Sequence, residues 1–428
     1  GGAYVGRVVV SVSGAPGLPI TFREHPGEQA TISGRGITPR GDAGLIHVDG
    51  DSHLEFEGFE LRDLRETARR KRSTPAGVFI TGASSDIALR GLDIHGIRTR
   101  AGDAHGIAAY GSDGDRPIAN LVIEHSYVHD LKLGSSEAIV LNGNVDGWRV
   151  SNNAIDDVDN IGIDAIGYEG TAPRNDRARN GVIADNVITD VDTLGNFAYD
   201  GEDGNCRCAG GIYVDGGHRI VVERNRISRS NLGIELASEA RRGTTSDVLV
   251  RNNVIVDSDG PGMPIGGYDS RRGKTERVQV VHNTIVNSDR LRTGQGELLL
   301  NYRVSGSTFL NNVVVAGRQG LLVGNPFRQN ARNAFDGNVW FARGRPPAQA
   351  RWQWRQRGLR GFGAWQRASG GDAHGRYADP LLDATGRPGA ASPAIDAGVV
   401  SALAGATDVT GAPRAQGAAP DAGAFELR

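Results

Sequence analysis

Three carboxylates and a tyrosine recur within one repeated phrase of this chain. The phrases GIDAI, GIYVD and GIELA occupy residues 162–166, 211–215 and 233–237; their third letters are Asp164, Tyr213 and Glu235, and the second phrase ends on Asp215. Side chains alternate across an extended strand, so Ile212 and Val214 oppose Tyr213 and Asp215, and Ile234 and Leu236 oppose Glu235. One face is expected to be core and the other to carry acids into solvent. If the three strands stack in parallel at ~4.8 Å, with ~3.3 Å per residue, Asp164 and Glu235 have Cα atoms roughly 10 Å apart and Asp215 lies about 8 Å diagonally from either. Carboxyl pairs ~5–5.5 Å apart suit retaining glycoside hydrolysis and pairs ~6.5–9.5 Å apart suit inversion, so this spacing permits both and leans to inversion. One acid must hold its proton, and clustered like charges supply the upward pressure on its pKa. Asp164, Asp215 and Glu235 are the expected catalytic groups.

Residues around this patch read as a binding surface. Tyr168, Tyr213 and Tyr268 offer rings on which sugars could stack, and Glu169 and Asp269 follow two of them at loop mouths. Glu239 lies two residues beyond GIELA, and His218, in DGGHR, is close behind Asp215. The plainer alternative is an acidic face that only solvates the sheet, or binds cations. Asp200, Glu202 and Asp203 in YDGEDGNC have oxygen ligands for calcium but not the spacing of an EF-hand; a solvated loop is the simpler reading. No metal ligand set is assigned, no cofactor is required, and calcium is kept open. Cys206 and Cys208, the only cysteines, admit a local disulfide, two free thiols or half a metal site, and exclude a four-sulfur zinc site within one chain.

The elements that must position these residues are short strands. Gly is abundant at 62 of 428 residues, hydrophobic residues make up 38%, and no long 3.6-residue stripes appear. Asn153, Asn186, Asn225, Asn253, Asn283, Asn312 and Asn338 fall at one position of a unit repeated every 26 to 39 residues. A unit of that period cannot bury its own apolar side alone, so the units must stack as coils of a solenoid sharing one core. An Asn column fits a bend, where amides bond the backbone and one another. Insertions at 63–75, 168–180, 192–209 and 268–276 are expected to wall a groove.

The Asn column and the GI-phrases resemble the right-handed parallel β-helix proteins of the pectate-lyase-like superfamily, from about Val8 to Trp340. The resemblance implies an all-β fold: a β-helix with N-terminal cap strands over residues 1–340 and a loop-rich capping segment over 341–428. Segments such as YADPLL, SPAIDAG and DAGAFE in that tail are similar to the closing segment of secreted bacterial β-helix proteins, which implies a secreted or periplasmic location. The D-then-GI-then-E order also resembles β-helical glycoside hydrolases, including families acting on xylo-oligosaccharides. Asp215 matches the first acid of that pattern, whereas the position of the second is Ala237, with Glu235 and Glu239 on either side.

The expectation is therefore a glycosidase acting on a poly- or oligosaccharide held in an outer groove. A polysaccharide lyase acting on a uronate-containing glycan is the first alternative, weakened by the absence of Lys from the groove column; a non-catalytic glycan-binding or adhesin-like solenoid is the second. A net charge of −2 gives no field favouring nucleic acid, and no apolar run is long enough to span a bilayer. The oligomeric state is left open.

Overall fold

The computed structural model describes residues 1–200 and 206–427. Glu202 and Asp203 of the acidic loop lie outside the described residues. The chain forms two compact units, Gly1–Tyr213 and Val214–Arg428. Each is a parallel β-solenoid in which every coil contributes one strand to each of three sheets.

In the first unit a typical coil runs through Tyr127–Leu131 in sheet one, Ile139–Gly143 in sheet two and Val145–Ser151 in sheet three. The next coil repeats this with Ala154–Val158, Ile163–Ile166 and Arg179–Ala184, paired in parallel to their predecessors. Ile107, Ile139 and Ile163 lie in register and are wholly buried, so like side chains stack along the core. Each such Ile contributes about 2–3 kcal/mol through removal of apolar surface from water. In the second unit Ile234, Leu236, Met263, Ile265, Leu298 and Leu300 do the same work in sheet two.

The bend between sheets three and one is made by the Asn column. Asn153 takes the carboxamide oxygen of Asn186 on both its backbone N–H and its side-chain amide, each at 3.0 Å, and donates to the Ile123 carbonyl. In the second unit the chain Asn225, Asn253, Asn283, Asn312, Asn338 repeats the arrangement at 2.9–3.1 Å. All seven are buried. The residue before them is left-handed, as at Asn152 (φ 57°), Asn252 (56°) and Asn311 (57°), which turns the chain sharply enough to start the next strand.

The last Asn is capped by an acid. Asp372 accepts from the Asn338 amide at 2.9 Å on one oxygen, and from the indole N–H groups of Trp340 and Trp365 at 2.9 and 2.8 Å on the other. Trp365 belongs to Phe362–Ser369, the only α-helix among the described residues. Beyond it the tail does more than close an end. It runs back over the outer face of sheet one, where Ala394, Ala397 and Ala422 pack on Val286, Val313, Val315 and Val339, and Val409, Ala424 and Phe425 pack on Val254. Its carbonyls at Ala404, Val399 and Asp421 accept from Asn252, Asn311 and His282, which belong to three different coils.

Cys206 and Cys208 form a disulfide, with Cα atoms 5.4 Å apart. No helix among the described residues is long and apolar enough to cross a membrane.

Candidate active site

The strand Leu232–Ala237 presents Glu235 outward because its neighbours Ile234 and Leu236 are wholly buried in the core. The Gly216 N–H donates to the Ala237 carbonyl at 3.0 Å, the ladder bond that sets Asp215 beside Ala237 on the adjoining coil. Asp215 and Glu235 are thus one coil and two residues apart, ~8 Å between Cα atoms, as the sequence register required. The turns that carry them are fixed by Thr245. Its hydroxyl accepts from the Gly216 N–H at 2.7 Å and lies in hydrogen-bond reach of the Val214 and Ala237 carbonyls.

Burial and the adjacent Glu239 and Asp215 carboxylates push Glu235 up to about 8. Glu235 therefore keeps its proton at neutral pH while remaining partly accessible to solvent. Asp215 is 4% exposed, and its Oδ1 accepts from the Glu239 backbone N–H at 2.7 Å, which orients the carboxylate towards the strand carrying Glu235. Glu239 itself is exposed.

A cation closes this cluster, and sequence reasoning missed it. The Arg272 guanidinium lies 4.3 Å over the Tyr268 ring, with Nη1 3.4 Å from the Glu239 carbonyl oxygen and 3.9 Å from its Oε2. Gly267 makes room for it: a Cβ there would stand 2.4 Å from the Cβ of Arg272. Arg272 sits in an irregular loop, where neither alternation nor a repeated phrase could reveal it; the insertion at 268–276 was the one available signal. Tyr268 is 48% exposed and so remains open to a ligand. Burial and Glu239 raise its hydroxyl pKa, which disfavours Tyr268 as a base. Asp269 is spent on its own turn, accepting from the Arg271 backbone and guanidinium.

Asp164 and Tyr213 belong to the first unit. The Gly162 N–H donates to the Gly210 carbonyl at 3.0 Å, so the parallel ladder aligns Asp164 with Tyr213, as expected. The expectation that these side chains, and that of Asp215, face solvent is corrected. Asp164 is 2% and Tyr213 4% exposed, and the outward column leading to Asp164 through Phe79, Ala108 and Val140 is buried as well. The outer face of sheet two carries its own apolar cluster there, with Tyr110 packed on it. An insertion is also folded down: the Asn196 amide donates to the Gly134 and Asp159 carbonyls at 2.8 and 2.7 Å. Tyr168 is 38% exposed beneath Arg177, and Glu169 accepts from the Asn142 amide at 2.8 Å. His218 is turned to sheet three, against Ser246 at 3.0 Å and Asp247 at 3.3 Å. Among the described residues no group of three or more His, Cys, Asp or Glu side chains converges to hold a metal ion.

Comparison with known proteins fixes the family. A family model of the right-handed β-helix region matches residues 196–314. The Bacillus subtilis (strain 168) protein whose name is given as "Uncharacterized protein YwoF" is 36% identical over 384 residues, covering 89% of this chain and 80% of that protein. The chain belongs to the YwoF family of right-handed β-helix proteins. Solved structures with similarity to this YwoF-family chain include the A-module of the mannuronan C-5 epimerase AlgE6 from Azotobacter vinelandii, with TM-score 0.47 and 13% identity, covering 79% of this chain and 83% of that one. A rhamnogalacturonan lyase gives TM-score 0.44 and 14% identity, covering 72% and 78%. The pectate lyase Pel9A gives 0.42 and 13%, covering 100% and 86%.

Proposed function

We propose that this YwoF-family protein is a polysaccharide-cleaving enzyme in which Glu235 protonates the departing glycosidic oxygen and Asp215 acts as the base. The observation that carries this is the paired environment of two carboxyl groups on adjoining coils: one holds its proton up to about pH 8, and the other is oriented by a backbone N–H.

Two ways of breaking the bond use that pair. In elimination the base removes the proton next to a uronate carboxylate, the electron pair forms the C=C bond, and the glycosidic oxygen leaves with the proton of Glu235. Arg272 favours this route, because a guanidinium beside the acids supplies the countercharge that a uronate needs and that the sequence column lacked. Hydrolysis is the second reading, with Asp215 activating water from the adjoining coil. Elimination on an acidic glycan is the reading we prefer. The disulfide between Cys206 and Cys208 supports an extracytoplasmic location, where such polymers are met.

Purified protein is to be assayed on uronate-containing and neutral polysaccharides, with and without calcium. Chain shortening with a new unsaturated-uronate absorbance is expected on the acidic polymers, and Glu235→Gln and Asp215→Asn are each expected to lower kcat/KM at least 100-fold. Shortening without that absorbance assigns hydrolysis, and no shortening of any polymer overturns the proposal.

A further inference from the structure

A second feature of the Val214–Arg428 unit lies away from the acid pair. A cavity of about 550 Å³ opens on the turns that lead from sheet one to sheet two, lined by Asn287, Arg290, Arg292, Arg318, Gln319 and Arg343 among others. The turns stack, because they follow the parallel strands Thr284–Val286, Val313–Ala316 and Val339–Ala342. Arg290, Arg318 and Arg343 therefore stand on three successive coils, with Arg292 beside the first; they follow the register-matched Val286, Val315 and Phe341 by four, three and two residues, so they are not in one column.

These four guanidiniums are exposed, and among the described residues none has an acidic partner within 4.0 Å. The acids beside them are otherwise engaged. The Asp289 carboxylate accepts from the backbone N–H groups of Thr293, Gly294, Gln295 and Gly296 at 2.7–3.1 Å, folding its own loop. Asp257 takes the Asn287 amide. Glu297 is buried behind the lining residues Ser288 and Gln319, accepting from the Ser288 N–H at 2.8 Å and the Gln319 amide at 2.9 Å, and burial pushes it up to about 8, so it adds no negative charge at neutral pH.

We propose that this cavity is a binding site for an acidic glycan, its arginines taking carboxylates of successive sugar units. A guanidinium presents a planar fork that matches a carboxylate with two parallel hydrogen bonds, and four of them around one cavity, drawn from three coils, suit a polymer that brings several carboxylates to it. The cavity lies two to four coils beyond Glu235 towards the C-terminus, ~10–19 Å along the stack, so it would grip the substrate at a distance from the bond being broken. Naming the bound polymer as the substrate rests on the function proposed above; the binding itself does not require the acid pair to cleave.

The test is direct binding by calorimetry of galacturonate and mannuronate hexamers, with cellohexaose and a single-stranded DNA hexamer as controls. Wild type is expected to bind at least one uronate hexamer, more weakly at high salt. Arg318→Ser with Arg343→Ser is expected to weaken that binding at least tenfold with an unchanged thermal midpoint, since both side chains are exposed. Glu235→Gln is expected to keep the binding whether or not wild type turns over. Equal affinity in the double variant, binding of cellohexaose or DNA as tight as that of uronate, or no binding by wild type would each overturn the assignment. A loss of turnover alone bears only on the acid pair.

Discussion

Glu235 shows what a single outward position on a solenoid strand can become. Its proton is held by burial and by two neighbouring carboxylates, which gives the pH dependence a definite sign. In the role proposed for it Glu235 must be protonated, so kcat/KM is expected to fall tenfold per pH unit above about 8. Glu239→Gln removes one repelling charge and should move that alkaline limb to lower pH, which a pH–rate profile of the variant checks. The same group affects stability. Its folded pKa lies above its ordinary value, so the native state binds the extra proton; stability is greatest below the ordinary carboxyl range and declines as pH rises towards 8. Glu235→Gln should flatten that decline in urea titrations at pH 5 and pH 8. Arg272→Ala is expected to reduce kcat/KM on a uronate polymer by 10- to 100-fold and to change hydrolysis of a neutral polymer little, if any occurs, a comparison that separates charge neutralisation from loop packing.

At the scale of elements, the Asn column was legible because a bend repeated in every coil demands the same side chain each time. Asn153 and Asn312 make the contacts that their spacing foretold. The register of Asp215 against Glu235 was legible for a related reason: the alternation of GIYVD and GIELA leaves one stacking that buries every Ile. The rest was not, because pattern reports only which face is not core. It could not say that Asp164 would be buried although on the outward column, nor that Arg272 would reach Glu239 from an irregular loop. The end of the Asn column was hidden likewise, because Asp372 stands outside any repeat. Replacing Asn253 by Ala strips the buried Asn225 N–H and Val222 carbonyl of their partners and should cost about 2–4 kcal/mol in a denaturant titration. Asp372→Ala strands two buried indole N–H groups as well as the last amide, and a loss of similar or greater size is expected there.

For the molecule as a whole, a solenoid's stability is close to a sum of neighbouring-coil terms. The tail changes that arithmetic in the second unit. Asn252 and Asn311 belong to different coils yet both donate to the tail, at Ala404 and Val399. Replacing either by Ala loosens the same segment, so the pair should be non-additive by about 0.5–1 kcal/mol or more, whereas Asn153→Ala combined with Asn311→Ala, which share no partner, should add within about 0.5 kcal/mol. A double-mutant cycle followed by thermal or urea unfolding tests both.

A strip of chain laid lengthwise over stacked rungs works like a batten nailed across planks. Rungs that would otherwise slip or fray one at a time must let go together, so a protease that severs the strip near residue 400 would leave every rung intact and yet turn a single sharp melting event into a staggered one.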